Sequence, residues 1–177
     1  LGMNRIDMVL IHDADMWTHG DQYEARLEEV RTGALPALQK LKEDGVIRAY
    51  GAGVNQAEAC ERLMNIGRFD AFLLAGRYTL LEQGGLDSFL PRCVAENVSI
   101  ILGAPFNSGI LATGAIPDAR YNYLPAPEPV MQRVAAIEEV CRGYGISLPA
   151  AALQFPLFHP AVTTVIPGSK SREEAER

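Results

Sequence analysis

Five apolar runs, each followed by small or polar residues, alternate along the chain with segments of helical periodicity. The runs span residues 6–11, 46–51, 70–75, 98–103 and 162–166. Apolar strands joined by helical crossovers of this length favour a parallel sheet covered by helices, and therefore an α/β fold. Parallel strands point their carboxyl ends to one edge, so the residues that follow the runs are expected at one shared face. An open sheet and a closed barrel both fit this pattern.

The composition limits the compartment and the partners. The chain has 177 residues, a formal net charge of −6 and no basic cluster. We therefore expect one domain, residues 1–177, without nucleic acid or an anionic membrane as principal partner. No apolar stretch reaches the length of about 20 residues that spans a bilayer, and no basic segment precedes a cleavable apolar one. The cysteines are few, odd in number and far apart, which predicts reduced thiols and a cytoplasmic location.

Helices are expected between the strands. Residues 13–20 lack periodicity and are predicted to be a loop. Thr32 is suited to cap a helix with Pro36 in its first turn, and Ser147 to cap another. The predicted helices are 21–31, 32–43, 56–66, 85–96, one that starts at 125–129, 148–155 and one from about residue 171.

His12 follows the first apolar run and is the candidate for chemistry at a strand end. An imidazole there can donate to or accept from a substrate oxygen, although a hydrogen bond to a nearby backbone carbonyl would explain it equally well. His12, Asp13, Asp15 and His19 are also close enough in sequence to consider a divalent metal. Their spacing fits no known metal motif, and loop carboxylates usually cap a helix or face water.

The second run is followed by Gly51-Ala-Gly-Val-Asn-Gln56. The glycines permit close approach of the backbone, and the Asn55 side chain offers a donor and an acceptor suited to an amide. The segment is not G-x-G-x-x-G, and no acidic residue follows at the expected distance. A Rossmann dinucleotide site is therefore disfavoured.

Two further strand ends carry segments suited to phosphate. Residues 103–111 form a small-residue loop whose backbone N–H groups can approach phosphate oxygens. Residues 165–171 combine a helix start with the charge of Lys170. Helix capping alone would also explain Ser169 and Ser171.

Several segments, taken in order, resemble the aldo-keto reductases. They are 1–7, 11–13, 53–55, 104–111 and 166–170, and the run 73–83 is most similar to the branch of aldose 1-dehydrogenases that oxidise fucose- or galactose-type sugars. The resemblance implies a (β/α)₈ TIM barrel that binds a nicotinamide dinucleotide across its C-terminal face. Family members use an Asp, Tyr, Lys and His tetrad. Only the histidine has a counterpart here, His12, so the chain is expected to supply about strands 4 to 8, with the N-terminal strands absent.

The resemblance also implies roles for individual residues. Asn55 matches the asparagine that binds the nicotinamide carboxamide, with Val54 in place of the usual serine. Gly103 and Ala75 stand where many members have a stacking aromatic and a carboxamide-binding glutamine. The pyrophosphate segment corresponds to Ala104, Pro105, Phe106, Asn107, Ser108, Gly109 and Leu111, and the segment near the adenosine 2′ position to Ile166, Pro167, Gly168, Ser169 and Lys170.

Two more residues bear on specificity. Glu174 stands where an arginine often grips the 2′-phosphate of NADP, and a carboxylate there would repel that phosphate. We therefore expect NAD to be preferred over NADP. Trp17 could pack its flat face on a sugar ring, or against its own loop.

The function implied is an NAD(P)-dependent oxidoreductase that moves hydride between nicotinamide and the carbonyl or hemiacetal carbon of a sugar or small aldehyde. The isolated chain is expected to be inactive, because the proton-transferring tyrosine and lysine are missing. A five-stranded piece with two unpaired edges is expected to aggregate or pair, so a homo-oligomer is possible. The alternatives are a metal-dependent barrel hydrolase using His12, Asp13 and Asp15, and a catalytically silent nucleotide-binding module.

Overall fold

A computed structural model describes residue 2, residues 4–169 and residues 171–176 of the chain. Seven strands are present in this part: β1 (Met8–His12), β2 (Ala49–Val54), β3 (Ala71–Ala75), β4 (Ser99–Gly103), β5 (Arg120–Tyr121), β6 (Leu124–Pro125) and β7 (Val162–Ile166). Five of them form one sheet in the order β1-β2-β3-β4-β7, and every neighbouring pair is parallel. The predicted α/β fold with a parallel sheet is confirmed.

Helices follow the strands and cover one face of the sheet. The α-helices are α1 (Met16–His19), α2 (Tyr23–Glu29), α3 (Leu35–Glu43), α4 (Ala57–Ile66), α5 (Phe89–Glu96), α6 (Ile110–Thr113), α7 (Glu128–Gly143), α8 (Leu148–Gln154) and α9 (Arg172–Ala175). A π-helical segment, Val30–Ala34, joins α2 to α3. No helix in the described residues is long and apolar enough to cross a membrane.

The main core lies between the helices and the sheet. Alternate strand residues point to the helices and are almost completely buried: Ala52, Val54, Phe72, Leu74, Ile100 and Leu102. Ring contacts extend this core toward α5, since the centroid of Phe72 lies 6.2 Å from that of Phe89. A second apolar cluster lies under α6, α7 and α8 and includes Leu81, Ile110, Leu111 and Val134.

The opposite face of the sheet includes glycines in β2, and the packing of two strands requires one of them. A Cβ atom built on Gly51 would lie 1.9 Å from the backbone oxygen of Ala71 on the neighbouring strand. Real Cβ atoms do not approach an oxygen so closely, so position 51 in β2 accepts only glycine without movement of the strands.

The sequence placed the strands well and some helix boundaries wrongly. Strands 71–75, 99–103 and 162–166 agree with the prediction within one residue, whereas β1 and β2 begin two and three residues later than expected. Thr32 does not cap a helix, because the chain continues through the π-helical segment and the Thr32 hydroxyl donates to the Glu28 carbonyl at 2.8 Å. Residues 13–20 are not wholly a loop, since α1 lies within them. The β5–β6 hairpin was not predicted.

Candidate active site

The candidate site lies at the edge of the sheet where the five parallel strands end. Because β1 and β7 are the outer strands, the His12 end and the residue 166–169 end lie on the same edge but at opposite sides of the sheet. A cavity of about 390 Å³ opens at the β1–β3 side of this edge. It is lined by residues from four strand ends or loops: Leu10, Ile11, His12, Asp13, Gly53, Val54, Asn55, Leu73, Ala75 and Tyr123.

His12, the last residue of β1, presents its imidazole to the cavity. The side chain is 90% exposed, and its Nε2 lies 3.6 Å from the Asp13 carboxylate. Asp13 has a left-handed backbone conformation with φ 51°, and its N–H donates to the Gly53 carbonyl at 2.7 Å. The turn after β1 is thereby tied to β2, and the exposed imidazole of His12 is left open to the cavity.

Asn55 is held at the end of β2 by two carboxylates. Its Nδ2 donates to Asp13 Oδ1 at 3.2 Å and to Asp15 Oδ2 at 3.0 Å, and its backbone N–H donates to Asp15 Oδ2 at 2.7 Å. These bonds use the donor end of the side-chain amide. The amide oxygen has no hydrogen-bond donor among the described residues, so an acceptor faces the site.

Asp15 is the buried anchor of this arrangement. It is completely buried and caps α1, with Oδ1 accepting from the Thr18 N–H at 2.9 Å. Burial by itself raises the pKa of this carboxyl, but the hydrogen bonds from Asn55 and Thr18 outweigh burial and hold the pKa below its ordinary value. Asp15 therefore stays ionised and accepts hydrogen bonds from Thr18 in α1 and from Asn55 at the end of β2.

Arg77, in the segment after β3, joins three other segments of the rim. Its Nε donates to the Asn55 carbonyl at 2.9 Å, and its Nη2 donates to Asn122 Oδ1 at 3.2 Å. The guanidinium carbon lies 5.4 Å from the ring centroid of Trp17, which is within the range of a cation–π contact. Trp17 is 48% exposed, so part of its ring stays open to solvent or ligand. The sequence did not single out Arg77 or Asn122.

The loop after β4 is built on left-handed backbone conformations at Ala104, Asn107, Ser108 and Gly109. The N–H groups of Asn107, Gly109 and Leu111 already donate to carbonyls within the loop. The N–H groups of Ala104, Phe106 and Ser108 have no acceptor among the described residues. Of the backbone donors expected to face phosphate in this loop, these three are therefore the ones open to a ligand.

Two residues expected at the cofactor have structural side chains instead. Leu111 is fully buried in the second apolar cluster, beneath the loop. Asn107 is 5% exposed, and its amide donates to the Gly76 carbonyl at 2.9 Å and accepts from the Thr79 hydroxyl at 2.6 Å. Packing and internal hydrogen bonds already use these two side chains, so only their backbone could contact a cofactor, and their assignment to the pyrophosphate segment stays a prediction.

The hairpin β5–β6 brings an unforeseen aromatic residue to the site. Its turn residues, Asn122 and Tyr123, both have positive φ, 49° and 66°. Tyr123 lines the cavity, and its N–H donates to the Ser108 hydroxyl at 3.1 Å. The Tyr121 hydroxyl donates to the Glu82 carboxylate, and burial together with this carboxylate raises the pKa of the phenol. The sequence signal that could have indicated this hairpin is the asparagine between two tyrosines at residues 121–123.

The segment after β7 is open to solvent. Ile166 is 49% exposed, and Pro167, Gly168 and Ser169 are exposed as well. Ser171 caps α9 by accepting the Glu174 N–H at 3.2 Å, so the capping explanation holds for this serine. The prediction for Lys170 lies outside the described residues.

The hydrolase alternative loses one of its proposed ligands. Asp15 is buried and committed to N–H donors, and no group of three or more histidine, cysteine or acidic side chains in the described part of the chain could hold a metal ion. The capping explanation for this acid, which the sequence left open, is confirmed by its hydrogen bond to Thr18.

Comparison with known proteins decides the family. The model of the "Aldo/keto reductase family" matches residues 1–177. This chain belongs to the aldo/keto reductase family. The resemblance stated from the motif segments is confirmed, and the parallel sheet with its helices agrees with the fold of this oxidoreductase family.

Curated and solved relatives agree with this assignment. A pyridoxal 4-dehydrogenase of Microbacterium luteolum is 35% identical over 98% of this chain and 51% of the relative. A D-threo-aldose 1-dehydrogenase of a Pseudomonas species is 36% identical over 95% of this chain and 49% of the relative. An aldo-keto reductase of Bacillus halodurans in its holo form matches with a TM-score of 0.65 and 21% identity, over 98% of this chain and 52% of that chain. The chain spans about half the length of the curated relatives it matches.

The rim of this aldo/keto reductase chain fits the nicotinamide dinucleotide that its family implies. The free oxygen of Asn55 suits an amide N–H, and three backbone N–H groups of the 104–109 loop suit anionic oxygens. A Cβ built on Gly53 would meet only Leu73 within 4 Å, at 3.8 Å, so the cavity floor leaves room for a flat group. These groups of the chain are the ones that would hold the dinucleotide.

Proposed function

We propose that this chain contributes part of the active site of an NAD(P)-dependent oxidoreductase that acts on the carbonyl or hemiacetal carbon of a sugar or small aldehyde. The observation that carries the proposal is the linkage of His12 and Asn55. They end neighbouring strands, line one cavity, and are joined through the Asp13 carboxylate at 3.6 Å and 3.2 Å. A substrate oxygen at His12 and a carboxamide at Asn55 would therefore be held side by side.

The residues of the chain would bind and orient. The exposed imidazole of His12 would donate a hydrogen bond to the substrate oxygen, and Asn55 would accept from the carboxamide of the cofactor. The bound dinucleotide would supply the hydride-transfer chemistry. Fixing both reactants in one geometry converts an encounter between two molecules into a reaction within one complex, which is a large part of the rate gain of such enzymes.

We propose the aldose 1-dehydrogenase type for the reaction, since a D-threo-aldose 1-dehydrogenase is among the relatives at about one-third identity. The pyridoxal 4-dehydrogenase relative has a comparable identity. Both substrates named in these relatives therefore belong in the first assay, together with a small open-chain aldehyde.

Cofactor choice is proposed to rest on Glu174. This residue lies in the first turn of α9 on the open side of the rim. Its carboxylate would repel a 2′-phosphate, so NAD is proposed to be preferred over NADP. Glu174→Arg is expected to shift the ratio of kcat/KM values toward NADP by about tenfold, which corresponds to one charge-assisted hydrogen bond. Glu173→Arg, on the same turn, is the matched control.

The proposal is tested on the protein at its natural length with purified NAD and NADP. His12→Gln is expected to lower kcat/KM by about a hundredfold while leaving cofactor affinity unchanged, because only the substrate oxygen loses its donor. His19→Gln, seven residues along, is the control and should behave like the unsubstituted protein. Absence of any cofactor-dependent oxidation or reduction would refute the proposal, and cofactor binding without turnover would favour the silent binding module.

The 177-residue chain expressed by itself is proposed to be inactive. His12 is the one tetrad position that the resemblance assigns to it, and proton transfer in the family is assigned to tyrosine and lysine. Turnover by this polypeptide alone would show that another group of the chain transfers the proton.

A further inference from the structure

We propose that Tyr123 is a substrate-specificity residue of this site and that Arg77 positions it over the cavity. The inference rests on the proposed function and deepens it, because it names the part of the chain that would distinguish a ring-shaped substrate from a small open-chain aldehyde.

The first observation is the placement of Tyr123. Its side chain lines the same cavity as His12, although 111 residues separate the two in sequence. Tyr123 is 73% exposed, so its ring contributes little to the core. An exposed aromatic face at the mouth of a cavity is suited to stack on a flat ring or on the C–H face of a sugar.

The second observation is the backbone of the turn. Asn122 and Tyr123 occupy the two central positions of a two-residue hairpin loop, both with positive φ. Such turns favour asparagine followed by glycine, because a side chain at the second position is strained. A bulky tyrosine at the position where glycine is favoured destabilises the turn, and the exposed ring of Tyr123 makes little packing contact that would offset this strain. Conformational strain of this kind is found preferentially at ligand sites.

The third observation is the way the turn is held. Asn122 accepts from Arg77 Nη2 at 3.2 Å, and the Tyr123 N–H donates to the Ser108 hydroxyl at 3.1 Å. Arg77 also donates to the Asn55 carbonyl at 2.9 Å and stacks over Trp17. One guanidinium therefore connects the hairpin that carries Tyr123 to the end of β2. Its planar fork can satisfy these acceptors together, which a lysine cannot.

The expected ligand contact follows from these three observations. A ring-shaped aldose or aldehyde whose reacting oxygen lies at His12 would extend toward Tyr123 and lie against its ring. A three-carbon aldehyde at the same position would be too short to reach it. Tyr123 should therefore affect the KM of ring substrates and leave that of propanal unchanged.

The main test compares Tyr123→Gly and Tyr123→Phe in the protein at its natural length, with an aldose such as L-fucose, with pyridoxal and with propanal as probes. Tyr123→Gly is expected to raise KM about tenfold for whichever ring compound the unsubstituted protein turns over, with propanal within about twofold and Tyr123→Phe close to unsubstituted. The melting temperature of Tyr123→Gly without ligand should be unchanged or higher, because glycine relieves the strained turn. Tyr144→Gly, at an exposed tyrosine outside the cavity lining, is the control for KM.

The role of Arg77 is tested by a double-substitution cycle. Arg77→Lys should raise the KM for the ring substrate, and in a protein that already carries Tyr123→Gly it should add nothing, because it acts through Tyr123. Arg62→Lys is the matched control. Arg62 also stacks on an aromatic ring, that of Tyr23 at 5.1 Å, and binds a carboxylate, but it does so on the helical side of the sheet.

The outcomes separate the inference from the proposed function. An inactive unsubstituted protein would overturn the proposed function, and with it the substrate role of Tyr123. An active protein in which Tyr123→Gly leaves ring and propanal KM values equal to unsubstituted, or raises both alike, would overturn the inference alone. A lower melting temperature of Tyr123→Gly would show a structural role, and additive effects in the cycle would overturn the positioning role of Arg77.

Discussion

Asp15 and Asn55 are joined by two hydrogen bonds to one carboxylate oxygen, from the backbone N–H at 2.7 Å and from the side-chain amide at 3.0 Å. The other oxygen of Asp15 caps α1 through the Thr18 N–H at 2.9 Å. A single buried carboxylate therefore fixes the start of helix α1 after β1 and also the orientation of Asn55, the candidate cofactor-binding residue after β2. With Asn55 proposed to bind the cofactor, a change at position 15 should affect both the stability of the fold and the affinity for the cofactor.

Asp15→Asn should lower stability and cofactor affinity together. Because both Asp15 oxygens accept hydrogen bonds, the NH₂ group of the substituted residue would face the donors of Asn55 or that of Thr18, and the charge-assisted hydrogen bonds lost are worth about 2 to 3 kcal/mol in total. Urea unfolding monitored by circular dichroism measures the first effect and a binding titration with NAD the second. Asp21→Asn, at an exposed acid of the neighbouring 3-10 turn, should change neither.

The same residue predicts a pH dependence with a definite sign. The pKa of Asp15 is lower in the folded protein than its ordinary value of 3.8, so the unfolded chain binds the proton more readily. The stabilisation is complete above the ordinary value and is lost as the pH falls through the folded pKa. The difference in unfolding free energy between the unsubstituted protein and Asp15→Asn should therefore be constant above about pH 5 and shrink as the pH falls further toward the folded pKa. A difference that is constant with pH would contradict this assignment.

Thr79→Val should destabilise the loop that follows β4. The Thr79 hydroxyl is buried, donates to Asn107 Oδ1 at 2.6 Å and accepts from the N–H groups of Leu81 and Glu82. Valine keeps the shape but leaves these buried polar groups unpaired, at a cost of about 3 kcal/mol. Thr79→Ser should restore most of the loss, because it returns the hydroxyl.

The control for this prediction is Thr113→Val, whose hydroxyl lies at the surface and makes only long bonds of 3.3 Å. Its unfolding free energy should stay within about 0.5 kcal/mol of the unsubstituted protein. Equal losses at positions 79 and 113 would show that the buried network does not hold the loop.

The parts of the fold and of the site that the sequence predicts are those that depend on residues adjacent to one another in the chain. The strands and the placement of His12 and Asn55 at their ends follow from apolar runs and the residues after them, which are contiguous in sequence. Asp15 was considered as a cap or a metal ligand, and only the fold shows that its second oxygen faces Asn55, 40 residues away. The sequence predicts a cap at Thr32, but the helix continues because the chain adopts a π-helical segment there.

The missed residues are those whose role depends on distant partners. Arg77 meets an acceptor on a hairpin 45 residues further along, and Tyr123 meets the cavity through that hairpin. An arginine after an apolar run is consistent with any exposed position, so the sequence contains no local signal for its role. The sequence predicts Asn107 and Leu111 in one loop, whereas the structure has a 3-10 turn at Asn107 and helix α6 at Leu111, and only burial reveals that both side chains face inward.

Gly51→Ala should be strongly destabilising, whereas Gly33→Ala should not. The added methyl at position 51 would overlap the Ala71 carbonyl oxygen at 1.9 Å and lie 2.9 Å from a Leu10 methyl, so β2 must shift at a cost of about 3 kcal/mol. Gly33 lies in the helical segment before α3, and a Cβ built there has no neighbour within 4 Å. Alanine at this position should therefore raise the unfolding free energy by about 0.5 to 1 kcal/mol. Thermal and urea unfolding of the two variants test this pair, and a tolerant position 51 would mean that the strands are further apart.

The cysteines should differ in reactivity in the folded protein. Burial raises the pKa of the Cys93 thiol to about 12 and that of the fully buried Cys60 thiol well above its ordinary value. The thiolate is the reactive form, so both should react slowly at neutral pH. Cys141 is only half-buried.

Iodoacetamide labelling followed by peptide mass spectrometry should therefore modify Cys141 first. In denaturant the three should react at similar rates, and preferential labelling of Cys60 or Cys93 under native conditions would show that the main core opens more readily than its packing implies.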